Sequence, residues 1–113
     1  MTKYYVGERT PDGCQVAVLD TDKPDHARLL NPRYDLRNHS PDGFEFGYSG
    51  SGPSQLSLAL MADALGDDKR AQAVYQAFKF KVVGRLTGDM FRLTQEGIKQ
   101  KVAEIEAERG RGR

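Results

Sequence analysis

Over the first twenty residues apolar and polar positions change places almost residue by residue. Tyr4-Tyr5-Val6 leads into Gly7-Glu8-Arg9, and Cys14-Gln-Val-Ala-Val-Leu19 follows the turn-forming run Thr10-Pro11-Asp12-Gly13. Alternation of this kind puts successive side chains on opposite faces of a strand. Proline presets φ and glycine accepts a positive φ, so the two runs predict a hairpin around Pro11-Asp12-Gly13. Asp20 to Asp25, charged and containing Pro24, reads as a loop, and Leu29-Leu30 as a short strand or turn ended by Pro32. Phe44-Glu-Phe-Gly-Tyr48 alternates again and carries the aromatic content of a strand.

From Pro53 the period changes from two to between three and four. Leu56, Ala59, Leu60, Ala62, Ala64 and Leu65 make a helix that is apolar on most sides, which marks it as buried. Pro53 suits its first helical position, Ser51 or Gly52 its cap and Gly66 its stop. Asp67 or Asp68 then caps a second helix whose stripe is Ala71, Val74, Tyr75, Phe78, Val82 and Leu86; Phe80 and Val83 lie off that face, so the helix is expected to be covered on two sides, and Thr87-Gly88-Asp89 is the break. Phe91 and Leu93 predict a short strand. Thr94 caps a last helix carrying the narrow stripe Ile98, Val102 and Ile105, with fraying expected after Glu106.

Composition adds limits. The 113 residues suit one domain, expected over residues 1–106 and followed by a flexible Arg/Gly tail at 107–113. At 38% hydrophobic and 29% charged the chain is wet but well short of the composition of disorder. A net charge of +1 supplies no electrostatic argument for nucleic acid or membrane as partner. The single cysteine, Cys14, permits no internal disulfide, and no run of residues has the apolar length of a membrane span or signal peptide, so a cytoplasmic location is expected.

Two segments carry candidate chemistry. Tyr48-Ser49-Gly50-Ser51-Gly52 feeds a helix start, where free N–H groups and small residues can receive an anion. It lacks the Lys-Ser/Thr of a phosphate-binding loop, and Pro53 removes one donor, so a tight turn capped by Ser51 is the competing reading. Arg37, Asn38, His39 and Ser40 put four hydrogen-bonding side chains into a loop bounded by proline and glycine. They can bind a ligand or partner, or staple the loop through a buried carbonyl or Glu45. A nucleophile needs a base within reach, and no Gly-x-Ser-x-Gly frame places His39 beside Ser49, Ser51 or Ser54. His26, His39 and Cys14 show no metal-ligand spacing, so no catalytic residue, metal or cofactor is expected.

The block from Asp35 to Leu60, containing Leu36-Arg-Asn-His-Ser-Pro-Asp-Gly-Phe-Glu-Phe-Gly-Tyr-Ser-Gly-Ser-Gly-Pro-Ser-Gln-Leu56, resembles the signature LRNHSPxGFEWGYGGSGPAQLALAL. That signature marks an uncharacterised small-domain family of bacterial and archaeal mobile elements and phages. Tyr75-Gln-Ala-Phe-Lys-Phe-Lys-Val-Val83, Phe91-Arg-Leu-Thr94 with Ile98, and Tyr5-Val-Gly-Glu-Arg9 fit the same family. Phe46 and Phe80 stand where tryptophan is common, and Ser49 where glycine is. The resemblance implies no transferable activity; it implies a small accessory protein of a mobile element, several of which inhibit host defence.

The expected fold is α+β: a small, mainly antiparallel sheet packed against two central helices, with a third helix at the C-terminus. The expected function is non-catalytic binding of a host protein or protein complex, as an anti-defence inhibitor, by a monomer or homodimer. The alternative is a small-molecule binder that holds a nucleotide-like or other anionic ligand at the Gly-rich loop.

Overall fold

The chain folds back on itself at Pro11-Asp12. In the computed structural model, which describes residues 3–23 and 25–111, β1 (Lys3–Thr10) and β2 (Gly13–Asp20) form an antiparallel hairpin in the register Thr10↔Gly13 to Lys3↔Asp20. Thr10 Oγ1 accepts from Asp12 N at 3.2 Å and donates to Gly13 O at 2.8 Å, closing the turn. Pro24 lies outside the described residues, as do Gly112 and Arg113 of the tail.

A two-residue strand, β3 (Arg28–Leu29), pairs with β2, and the late strand β4 (Met90–Thr94) pairs with β1. The sheet is four-stranded and antiparallel in the order β3-β2-β1-β4. Three helices complete the α+β fold: α1 (Ser51–Leu65), α2 (Asp68–Lys81) and the C-terminal α3 (Gln95–Arg111).

One apolar core joins Tyr5, Val16, Val18 and Phe91 of the sheet to Leu56, Leu60 and Met61 of α1, Val74 and Phe78 of α2, and Ile98, Val102 and Ile105 of α3. Gly7 makes room in it: a Cβ there would stand 1.9 Å from the Phe91 ring. The vacated space lets Phe91 meet Phe46 edge-on, with centroids 5.0 Å apart.

Helix α1 buries 12 of its 15 residues, as its all-round apolar pattern predicts. Its buried polar groups are therefore obliged to find partners. Ser57 donates to the Tyr75 carbonyl at 2.6 Å, and Ser54 accepts from Lys79 at 3.1 Å. Gly66 ends the helix in the left-handed region, and Asp67 caps α2 by accepting from Arg70 N at 3.0 Å.

The structure corrects four local expectations. Phe44–Tyr48 is not a strand; Phe44 makes one bridge to Cys14, Phe46 turns into the core, and Gly47 sits at φ 90°. Ser51 does not cap α1: Gly50 holds that position and no side chain caps it. Helix α2 stops at Lys81 rather than at Thr87, because Val83 swings into the core, its carbonyl accepts from Gly47 N at 3.0 Å, and the chain passes so close at Gly84 that a Cβ there would stand 3.1 Å from the Tyr48 carbonyl. Phe80 is 55% exposed, so α2 is not covered on that side.

Helix α3 also runs past Glu106, to Arg111. Glu106 accepts from Arg70 Nε at 2.9 Å and Nη2 at 2.7 Å, Lys81 pairs with Glu108, and the Arg109 guanidinium donates to the Ala73 carbonyl. These contacts to α2 hold residues 107–111 in the helix.

Candidate partner-binding loop

Gln55 organises the first candidate segment. It is fully buried on α1, at a place where a polar side chain must be saturated. Its Nε2 donates to the Pro32 carbonyl at 2.6 Å and to the Arg37 carbonyl at 3.0 Å. Its Oε1 accepts from the backbone N–H of His39 at 2.7 Å and of Ser40 at 3.3 Å. A single side chain thus satisfies four backbone groups of an irregular loop that has no strand or helix to satisfy them.

Further bonds frame the same loop. Arg33 adopts φ 59°, and its carbonyl accepts from Leu36 N and Arg37 N. The Arg33 guanidinium bridges Asp35 at 3.0 Å and Asp68, at the start of α2, at 2.7 Å. Those hydrogen bonds from Arg33 hold both carboxyls below their usual range. His39 Nε2 shares a 2.8 Å hydrogen bond with the Tyr75 hydroxyl. Burial first, then the Arg37 and Lys79 cations, lower the His39 pKa, so the ring is neutral near pH 7.

The outcome is a loop with a committed backbone and free tips. Arg37 and Asn38 are exposed, and the Arg37 guanidinium has no hydrogen-bonded or salt-bridged partner among the described residues. The expected staple exists, but Gln55 makes it. Glu45 belongs to Arg9, whose Nε and Nη2 donate to Oε1 at 3.1 and 3.0 Å. Arg9 also reaches the Phe46 and Gly88 carbonyls and Asp89, and lies 4.4 Å above the Phe46 ring. That grip is what turns Phe44–Tyr48 away from strand pairing.

The second candidate segment leads into the same end of α1. Gly52 is buried, and a Cβ on it would stand 2.7 Å from the Glu45 Cβ. A Cβ on Gly50 would stand 2.7 Å from the Tyr48 ring. Both glycines therefore admit parts of their own chain. Tyr48, 52% exposed, and Ser49 and Ser51 face solvent. Arg37–Ser40 and Tyr48–Gly52 flank the first turns of α1, yet no hydrogen bond joins them among the described residues.

Among the described residues are cavities of about 180 to 410 Å³, and neither Arg37–Ser40 nor Tyr48–Gly52 lines any of these, although Tyr34 lines one. The His39 ring nitrogen is occupied by Tyr75, not by Ser49, Ser51 or Ser54. Cys14 is half-buried, and burial, with Glu45 nearby, pushes its thiol up to about 11, away from nucleophilic thiolate. Among the described residues no group of His, Cys, Asp and Glu is placed to hold a metal ion, and no helix is long and apolar enough to cross a membrane.

Gln55, Arg9, Tyr75 and Lys79 were absent from the sequence-based candidates. For Gln55 there was a signal: an uncharged amide inside a helix otherwise apolar on most sides has to be serving backbone groups.

Fold and loop together define a small α+β domain: an antiparallel sheet backed by helices, with a polar loop clamped to the buried central helix. The chain belongs to a family of unknown function, DUF6166, whose model matches residues 5–104. No curated protein and no solved structure matches it.

Proposed function

We propose that this is a non-catalytic binding protein that grips a host macromolecule, a protein or protein complex, through the loop from Tyr34 to Asp42, with Arg37 as anchor. The accessory, anti-defence role in a phage or mobile element rests on the resemblance of the Asp35–Leu60 block. One observation carries the binding reading: an exposed guanidinium without a carboxylate partner among the described residues stands on a loop whose backbone Gln55 has already fixed. A guanidinium offers paired, directional donors, and an anchor on a preordered loop loses little conformational freedom on binding.

The test compares two readouts of Arg37→Ala. An exposed, unpaired arginine should change stability by no more than about 0.5 kcal/mol. As a hot spot it should weaken capture of the partner from bacterial lysate by about 2 kcal/mol or more. Captured proteins and small molecules are both read by mass spectrometry. Capture unchanged by Arg37→Ala places the interface elsewhere, and a small molecule as the sole species retained replaces the macromolecule with a ligand.

A further inference from the structure

Strand β4 is an outer strand of the sheet, and the phase of its hydrogen bonds can be read from two fixed points. The two-residue turn makes Thr10↔Gly13 the closing pair of the hairpin. On the other side, Arg9 N donates to Asp89 O at 2.7 Å, in line with the register Glu8↔Met90. In an antiparallel ladder, bonded and non-bonded pairs alternate. Phe91 and Leu93 therefore exchange bonds with β1, and the backbone N–H groups of Met90, Arg92 and Thr94 point outward. Among the described residues no strand pairs with that outer edge.

A cavity of about 310 Å³ runs along this edge. Phe78, Val82, Leu93 and Ile98 give it an apolar lining, to which Arg92 and Lys101 add cationic side chains. Phe91 faces the core, so Leu93 shares its inner face while Arg92 projects from the outer one, stacked 4.5 Å from the Tyr4 ring. No carboxylate pairs with Arg92 among the described residues.

We propose that this edge receives an extended segment of a partner protein as a fifth strand, with the local pattern apolar–acidic–apolar. Main-chain pairing with Arg92 supplies the bonds, as in strand addition generally. The residue opposite Arg92 shares its face, so an acid there meets the guanidinium. Its two neighbours turn inward, where the cavity has room for an aliphatic side chain. A second copy of this chain fits poorly. The symmetric pairing that uses all three outward positions sets Arg92 directly opposite Arg92, and like charges so placed repel.

The probe is a displayed library of random octapeptides selected on the intact protein. Expected are enriched peptides with the apolar–acidic–apolar pattern and slowed amide exchange at Arg92 and Thr94 when the best of them is bound. Arg92→Pro removes an N–H that no bond to β1 uses, Arg92→Glu reverses the charge but keeps the N–H, and Val82→Glu puts a carboxylate into the cavity. Each should weaken the best peptide by roughly tenfold or more. If Arg92→Pro fails to fold, the other two variants and the exchange data decide. Overturning results are no enriched peptide, enriched peptides that bind all three variants as well as the parent, or a homodimer paired at this edge that Arg92→Pro dissolves.

Discussion

Replacing Gln55 with methionine keeps the side chain's length and volume and deletes four hydrogen bonds. The site is completely buried, so the thioether should be accommodated without a cavity. What changes is the fate of the Pro32 and Arg37 carbonyls and the His39 and Ser40 N–H groups. A buried backbone group left without its partner costs about 1–3 kcal/mol, and a group that water can reach costs less. The loop is only partly buried, so water replaces some of the four bonds once it loosens. A loss of about 3–5 kcal/mol is expected, a large share of the roughly 5–15 kcal/mol that holds a domain of this size. The assay is urea unfolding joined to native-state amide exchange. Exchange should accelerate first over residues 33–42, before the sheet opens. A loss below about 1 kcal/mol, or unchanged exchange in that loop, would refute the staple.

Leu60 is fully buried among the core residues of α1, and Leu60→Ala should cost about 2–5 kcal/mol in denaturant melts; a loss under half a kcal/mol would remove α1 from the centre of the fold. Asp63 predicts an acid limb. Burial raises its pKa, but hydrogen bonds from Lys3, Arg28 and Tyr5 outweigh that and hold the folded carboxyl below its ordinary value. The stability it contributes is therefore complete above about pH 4 and is lost as pH falls through the folded pKa. Asp63→Asn should flatten this limb of a Tm-against-pH curve, and superimposable slopes for the two proteins would show that the cluster contributes nothing.

The elements legible in the sequence were those determined within a few residues of themselves. The Pro11-Asp12-Gly13 hairpin, the Gly66 stop, the Asp67 cap and the α2 stripe from Ala71 to Phe78 all follow from local chemistry, and each stands where the pattern puts it; Val82 and Leu86 of that stripe fall beyond the helix. Phe44–Tyr48 misled because alternation reports only that neighbouring side chains differ in burial. Phe46 is in the core but Tyr48, which would share its face in a strand, is in solvent, and Arg9, far away in sequence, claims the Phe46 carbonyl. The continuation of α3 past Glu106 has the same kind of cause, since the salt bridges of Glu106 and Glu108 to α2 span the fold. Gln55 binds backbone groups 15 to 23 residues upstream, a relation no local pattern contains.

The Asp35–Leu60 block looks in sequence like two separate features, a polar loop and a glycine-rich turn. In space it is one interlocked piece. Gln55 holds the backbone from Pro32 to Ser40, Gly52 admits Glu45, and Glu45 holds Arg9, which in turn fixes Phe46 against Phe91. Each residue type is required by packing: an amide that satisfies both donors and acceptors, a glycine with no Cβ, a carboxylate opposite a guanidinium. That accounts for the length of the block without assigning chemistry to most of it. Among the residues that packing does not require are Arg37, Asn38 and Ser49, exposed on the same unit. A loop that must close over a small ligand needs freedom to move. A surface offered to a large partner gains from having none, because the cost of ordering it has been met by folding. The four bonds from Gln55 therefore favour contact over capture, and the side chains that packing leaves unexplained are where such contact would be made.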